Sequence, residues 1–402
     1  MNVLKPWSLL LWLVSANSFP LVAEWPRHTI DATSIGADGV RLRDINHDGR
    51  PDLVTGWEEG GLIRVYLNPG ENAVKAPWPK VTVGKVPSPE DAVLLDLDHD
   101  GRWDVLSSCE GKAQSLFVHW APNERIRYLD EAAWTTEAVP AAQKKEAWMF
   151  ALPLMNIAGS VQSILVRSKG SRASVSLLQL PRQPRNLSEW TIAPLYQAGW
   201  IMSLRPFDFD ADGDLDVLVS DRKGESSGVL WLENPGPRAI ENKQAWPEHR
   251  IGANGEEVMF LDIHQDPARQ QISIAAAVKP NQVLQFTATQ STPLRWQSSR
   301  IKINAPIGTA KAVTYADINL DGQIDLVASC EHAIESRIGV YWFSSANTED
   351  HSVTDIHDIS GPQGIKFDRI ETIDLDGDGD LDLMTCEERD NLGIIWYENP
   401  TR

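Results

Sequence analysis

The chain is short of most features that announce a function directly. Only three of its 402 residues are cysteines. Cys109, Cys330 and Cys386 are too few for a disulfide framework, and their odd number leaves at least one thiol unpaired. Basic charge is scarce: 37 lysines and arginines face 56 aspartates and glutamates, a formal charge of −19. That balance excludes nucleic acid, whose backbone demands a basic surface, and disfavours an anionic membrane. The one extended apolar run, Trp7 to Val14, is too short to span a bilayer, so no stable membrane insertion is expected. Helical periodicity is almost missing. There is no Gly-x-Ser-x-Gly elbow, phosphate loop, dinucleotide fingerprint, His-Glu-x-x-His or CxxCH haem motif, which removes support for hydrolases and redox enzymes of those kinds.

The apolar run follows Lys5 and precedes small residues at Ser15, Ala16, Ser18 and Ala23. This reads as a signal peptide over residues 1–23, with cleavage after Ala16, Ser18 or Ala23, and a secreted or periplasmic protein. No cysteine is present there to carry a lipid.

What the sequence does have is acidic residues in a fixed grammar. Asp44, Asn46, Asp48 and Asp52 occupy relative positions 1, 3, 5 and 9, with Gly49 at position 6. The pattern returns as Asp96, Asp98, Asp100 and Asp104; Asp208, Asp210, Asp212 and Asp216; Asp317, Asn319, Asp321 and Asp325; and Asp374, Asp376, Asp378 and Asp382. Oxygen ligands on alternate residues of a tight turn can converge on a hard cation, and glycine permits the bend. Carboxylate, amide and carbonyl ligands together suit the larger, flexible shell of calcium. His47 and His99 fall between ligand positions and should point outward. An EF-hand would need a bidentate glutamate at position 12, where the first copy has Thr55. The expected cofactor is Ca2+ at about five structural sites.

First positions at 44, 96, 208, 317 and 374 leave two gaps of about twice 54 residues. Segments around Asn156 and Asp262 fill them, keeping flanking β-rich runs but losing the ligand set: Ser160 stands at position 5 of the third repeat, and Pro267 follows Asp266 in the fifth. Metal binding by these two is left open. Seven repeats result, with acidic loops in repeats 1, 2, 4, 6 and 7. Each adds an aromatic strand such as Val229 to Pro235, then Trp-x-x-x-x-(Ile/Val), as at Trp25, Trp78, Trp134, Trp246 and Trp296. Four strands per repeat make a sheet too small to protect its own faces and edges. Radial stacking solves this, so residues 24–402 are expected to form an all-β, seven-bladed propeller of four-stranded antiparallel blades. The last repeat lacks its Trp strand, which residues 25–30 supply; the N-terminal strand should therefore close the last blade. A linear solenoid is the structural alternative.

In its Asp-x-Asp-x-Asp-Gly-x-x-Asp cassettes the chain resembles the VCBS/FG-GAP repeat propellers, over about residues 25–400. The resemblance implies an extracellular seven-bladed propeller with calcium in the five cassettes, a group that includes sugar-binding and protein-binding members. It says little about activity.

Six residues beyond the last ligand of each cassette stand Glu58, Glu110, Arg222, Glu331 and Glu388, which circular symmetry would bring round one funnel. Incoming loops add, among others, Asp38, Glu90, Trp148, Trp200, Lys311 and Lys366. Carboxylates interleaved with cations and indoles suit a polyhydroxylated ligand. The expected activity is lectin-like, with Glu58, Glu110, Trp148, Trp200, Arg222, Glu331 and Glu388 as ligand-binding residues and carbohydrate or polysaccharide as partner. One alternative is a polysaccharide lyase or sugar dehydratase, for which Glu331 with His332, or Glu256 and Glu257 with Lys145, are candidate proton-transfer groups. Another is a scaffold for an extracellular protein.

Overall fold

The computed structural model of the chain describes residues 25–155, 161–236, 244–289, 293–344 and 352–402. The proposed signal peptide, Asn156 and Ser160 lie outside them. Seven sheets follow one another along the chain. Their innermost strands are Ala37–Arg43, Pro89–Leu95, Ala147–Met155, Ile201–Phe207, Val258–Asp266, Thr309–Ala316 and Glu371–Ile373. Six sheets have four antiparallel strands; the fifth also takes Ser352–Val353 in parallel on its outer edge. The architecture is a seven-bladed propeller. Arg27–Asp31 pairs with Gly393–Tyr397, so the N-terminal strand completes the seventh blade.

Second strands such as Asp52–Trp57 and Asp216–Asp221 are buried along their whole length, because each blade is covered by a neighbour on both faces. Apolar clusters run round the wheel. One joins blades 1 and 2, another blades 2 and 3, and so on, until Ile30, Trp396 and Met384 of blade 7 pack with Trp57, Tyr66 and Ala37 of blade 1. This last cluster closes the ring and removes the solenoid. Trp25, Trp78, Trp134 and Trp246 are all buried between sheets. Blade 3 adds Trp190, equally buried and not picked out by the sequence pattern. A buried indole withdraws roughly 200 Å2 from water, on the order of 5 kcal/mol before entropic costs. The closing strand is also tied by polar contacts. Asp31 accepts hydrogen bonds from Arg64 at 2.7 Å and Tyr66 at 2.8 Å in blade 1.

The three cysteines are buried and free. Burial pushes the Cys109 thiol up to about 12, and the other two also rise, so none is poised to react. Among the described residues, no helix is long and apolar enough to cross a membrane.

Candidate metal loops and a charged funnel

The five acidic cassettes form the turns between the first and second strands of blades 1, 2, 4, 6 and 7. Their backbones repeat. Position 6 is glycine at φ 80–95° in every copy. At Gly49, Gly101, Gly213 and Gly322 a Cβ would meet no atom within 4 Å, so the left-handed backbone rather than space demands glycine. Position 4 is also left-handed, with His47, His99, Ala211 and Leu320 at φ 59–63°. His47 and His99 are exposed, as expected. The glycine N–H donates to the first aspartate, at 3.0 Å in Asp44, Asp96 and Asp317, 3.2 Å in Asp208 and 3.1 Å in Asp374.

The ninth-position aspartates are buried where strand two begins. Asp52, Asp104, Asp216, Asp325 and Asp382 each accept a hydrogen bond from the N–H of position 2, at 2.8–3.3 Å. Burial outweighs these bonds. It pushes Asp52 and Asp325 up to about 6, Asp216 and Asp382 to about 7, and Asp104 to about 8. A divalent ion would relieve that pressure. Two further observations fit a cation. The carboxylates of Asp96, Asp98 and Asp104, of Asp208, Asp210 and Asp216, and of Asp374, Asp376 and Asp382 each offer atoms within 4.8 Å of one another. Asp208 Oδ1, Asp325 Oδ1 and Asp376 Oδ1 are buried oxygens with no hydrogen-bond donor. Loops 1 and 6 have the same turn with an amide, Asn46 or Asn319, in place of the third-position carboxylate. In two loops that carboxylate also meets a cation from the next blade: Asp98 pairs with Arg185 at 2.5 Å, and Asp376 with Lys75 at 3.1 Å.

Blade 5 departs from this arrangement. The strand that starts at Val258 continues to Asp266, and Asp262 lies within it, opposite Ala275. Its carboxylate accepts from Thr314 Oγ1 at 2.7 Å and Tyr315 N at 3.1 Å, and meets Arg205 at 3.1 Å. Where blades 1, 2, 4, 6 and 7 have an acidic turn, Asp262 fastens blade 5 to blades 4 and 6.

On the opposite face, the incoming loops meet the turns after strand two. The sixth-beyond positions Glu58, Glu110, Arg222, Glu331 and Glu388 share this face, and Lys169 and Lys279 complete the ring from blades 3 and 5. These two lysines were hidden in the sequence, because their blades lack the aspartate from which the offset is counted. Their position after the second strand, in Val166-Arg167-Ser168-Lys169 and Ala276-Ala277-Val278-Lys279, is the signal that finds them. Lys169 bridges Glu110 and Glu90, the latter at 3.2 Å. Lys279 pairs with Glu331, Lys366 with Glu388, and Arg222 with Glu257 at 2.5 Å.

Behind the ring lie buried Asp38, Glu90, Lys311 and Asp368. Lys311 stands 3.3 Å from Asp368 and 3.9 Å from Glu331. Burial, followed by the charges of Asp368 and Glu90, raises Asp38 well above the usual carboxylate range. Burial works the same way on Asp368, but Lys311, Asp38 and Lys366 overcome it and hold Asp368 low. Burial also lifts Glu90 strongly despite Lys169, and lifts Glu58, with Glu110 adding to it. Two carboxylate groupings lie on this face, Asp38 with Glu58 and Glu90, and Glu58 with Glu59 and Glu388. Lys169 and Lys366 stand among them, whereas the cations within the acidic turns, Arg50 and Arg102, pair with the fifth-position aspartates Asp48 and Asp100.

Other expected site residues fall elsewhere. Trp148 is fully buried between blades 2 and 3 and donates its indole N–H to Ala142 O at 3.0 Å, so it has no face to offer a ligand. Trp200 is partly buried, with Arg222, Lys223 and Lys169 at 4.4–5.0 Å from its ring. His332 is an exposed turn residue at φ 57°, 3.8 Å from Glu331. Glu256 pairs with Arg300 at 2.5 Å. Glu257 is taken by Arg222, and Lys145 is exposed on blade 3, so these three do not form the supposed grouping.

FG-GAP-like repeats match residues 44–107 and 317–385, the stretches that hold the loops of blades 1 and 2 and of blades 6 and 7. Among curated proteins none matches the chain. Similar solved structures include that of BBS1N in complex with ARL6DN, at 10% identity and TM-score 0.51, covering 94% of this chain and 97% of that one. The Dos1 propeller is similar at 9% identity and TM-score 0.50, over 91% and 82%. At these identities the likeness concerns the fold alone.

Proposed function

We propose that the chain is an exported, calcium-stabilised propeller whose charged funnel binds carbohydrate. The observation that carries this reading is the ring itself: seven equivalent positions, one per blade, present four carboxylates and three cations on one face. Neighbouring acid and base offer an acceptor and a donor to vicinal hydroxyls. With Trp148 buried and Trp200 covered by cations, recognition rests on hydrogen bonds rather than on stacking. Calcium is the ion proposed for the five turns, since their aspartate, asparagine and backbone oxygens supply the hard, irregular shell it prefers.

A second reading, proton-transfer chemistry of the lyase or dehydratase kind, draws on Asp38 and Asp368. Two adjacent carboxylates driven in opposite directions provide a neutral acid and an ionised base. Lys311 beside Asp368 could stabilise an enolate-like charge. In this version the acid–base pair replaces Glu331 and His332.

The test is a panel of oligosaccharides and polysaccharides, read for binding and for new ultraviolet-absorbing unsaturated ends. Binding without product, lost in Lys311→Met, supports the binding module. Product formed by the wild type and lost in Asp38→Asn and Asp368→Asn moves the assignment to the enzyme. Neither binding nor product across neutral and acidic glycans contradicts both.

A further inference from the structure

Four arginines line one cavity on the axis of the wheel: Arg41 from blade 1, Arg167 from blade 3, Arg205 from blade 4 and Arg369 from blade 7. Three have carboxylate partners. Arg41 grips Asp91 with contacts of 2.6–3.1 Å, Arg205 meets Asp262 at 3.1 Å, and Arg369 meets Glu371 at 2.5 Å. Arg167 has none within ion-pair distance among the described residues. It is 1% exposed, lies over the Phe150 ring at 3.3 Å from its centroid, and donates to the carbonyl of Ile201. Its Nε is buried without an acceptor, and so is the Nε of Arg369.

A guanidinium stays protonated throughout the accessible pH range. An unpaired one in the interior is costly unless an opposite charge reaches it. Within ion-pair distance the four guanidiniums share three carboxylates, and the charges of Asp91, Glu90 and Asp368 act on Arg167 only from farther away. Burial, with Arg41 nearby, works against the Arg167 charge more than Asp91, Glu90 and Asp368 support it, which is the pressure a bound anion relieves.

We propose that this axial cavity binds a small inorganic monovalent anion of halide size, held between the guanidiniums of Arg167 and Arg369. At about 30 Å3 the cavity has room for one or two water-sized species, too little for a sugar acid. Ser203 lines it too; its Oγ accepts from Leu261 N at 3.1 Å, leaving its own proton to donate. Contacts from blades 3, 4 and 7 would meet on one anion and cancel repulsion across the axis. The wheel would then carry cations at its turns and an anion at its hub. This inference does not depend on the carbohydrate reading.

Thermal melts of the full chain test it, with sodium bromide replacing sodium gluconate at constant ionic strength. The expected result is a saturable rise of about 2 °C, absent in Arg167→Met and reduced in Ser203→Ala. The surface variant Arg125→Gln should keep it. Bromide-edge anomalous diffraction should place a peak in the axial cavity. Should Arg167→Met fail to fold, the wild-type titration and the Ser203→Ala melt decide. Melts indifferent to bromide, with only water in the cavity, would overturn the proposal. So would a bromide response unchanged in both variants.

Discussion

The two faces of the wheel handle buried negative charge in opposite ways. On the face of the metal turns, backbone N–H groups and tight left-handed turns gather carboxylates that, in three loops, lie within 4.8 Å of one another. Across the wheel, Asp38, Glu90, Asp368, Glu331 and Glu388 are also buried, yet Lys169, Lys279, Lys311 and Lys366 stand among them. The first arrangement leaves Asp208 Oδ1, Asp325 Oδ1 and Asp376 Oδ1 buried without a donor, while Arg50, Arg102, Arg185 and Lys75 pair with other oxygens of the turns. The second sets lysines among its buried carboxylates.

Removing divalent ions should have the largest effect. Chelation followed by gel filtration should lower the melting temperature by roughly 10 °C, as loss of several ligands specific to the native state. Charge substitutions on the funnel should leave that difference intact; if they abolish it, the two faces are not independent.

Two single substitutions sharpen the contrast within one face. Asp208→Asn in blade 4 should cost about 2 kcal/mol in calcium and nearly nothing in chelator. Asp262→Asn in blade 5 should cost about 1 kcal/mol in both, because it releases Arg205 rather than an ion. Urea unfolding in the two buffers distinguishes them. Equal calcium dependence would put blade 5 among the metal blades.

On the funnel, Lys311→Met should weaken glycan binding by roughly tenfold in calorimetry, about 1.4 kcal/mol, while the chelation response stays unchanged. The smallest effect concerns pH. Asp38 holds its proton more tightly folded than unfolded, so its contribution to stability falls as pH climbs above the unfolded carboxylate value towards its own. Asp38→Asn removes that loss. Its stability relative to wild type should therefore improve steadily between pH 4 and pH 8. A flat difference would mean that Asp368, Glu90, Glu388 and Lys311 leave Asp38 an ordinary carboxylate.

Much of the scaffold was readable because each acidic cassette fixes both a turn and a phase. Counting from Asp44 and Asp96 finds the weakened third and fifth repeats by interval alone, and the Trp25 segment reads as the strand missing after Asn399. Blade 5 shows where counting stops. Asp262 keeps the phase, but without the glycine at position 6 the chain stays extended to Asp266, and only the neighbouring Arg205 and Thr314 explain its role. Trp148 was misplaced for a related reason. Lys145 and Glu146 beside it suggest a rim, while the pocket that buries it joins the nearby Val139 and Ala142 to blade 2 strands and to the segment around Trp190, about forty residues on. The ring members Lys169 and Lys279 were missed because the offset was counted from a metal ligand instead of from the end of a strand. The opposite directions in which Asp38 and Asp368 are driven depend on the folded wheel; they come together only when blade 7 closes on blade 1.

Long-wavelength anomalous diffraction from crystals grown in calcium tests the account most directly. The result expected is one calcium peak in each turn of blades 1, 2, 4, 6 and 7, with none at the Asp262 strand and none among Asp38, Glu58 and Glu90. Peaks on the lysine-bearing face with vacant turns opposite would contradict it.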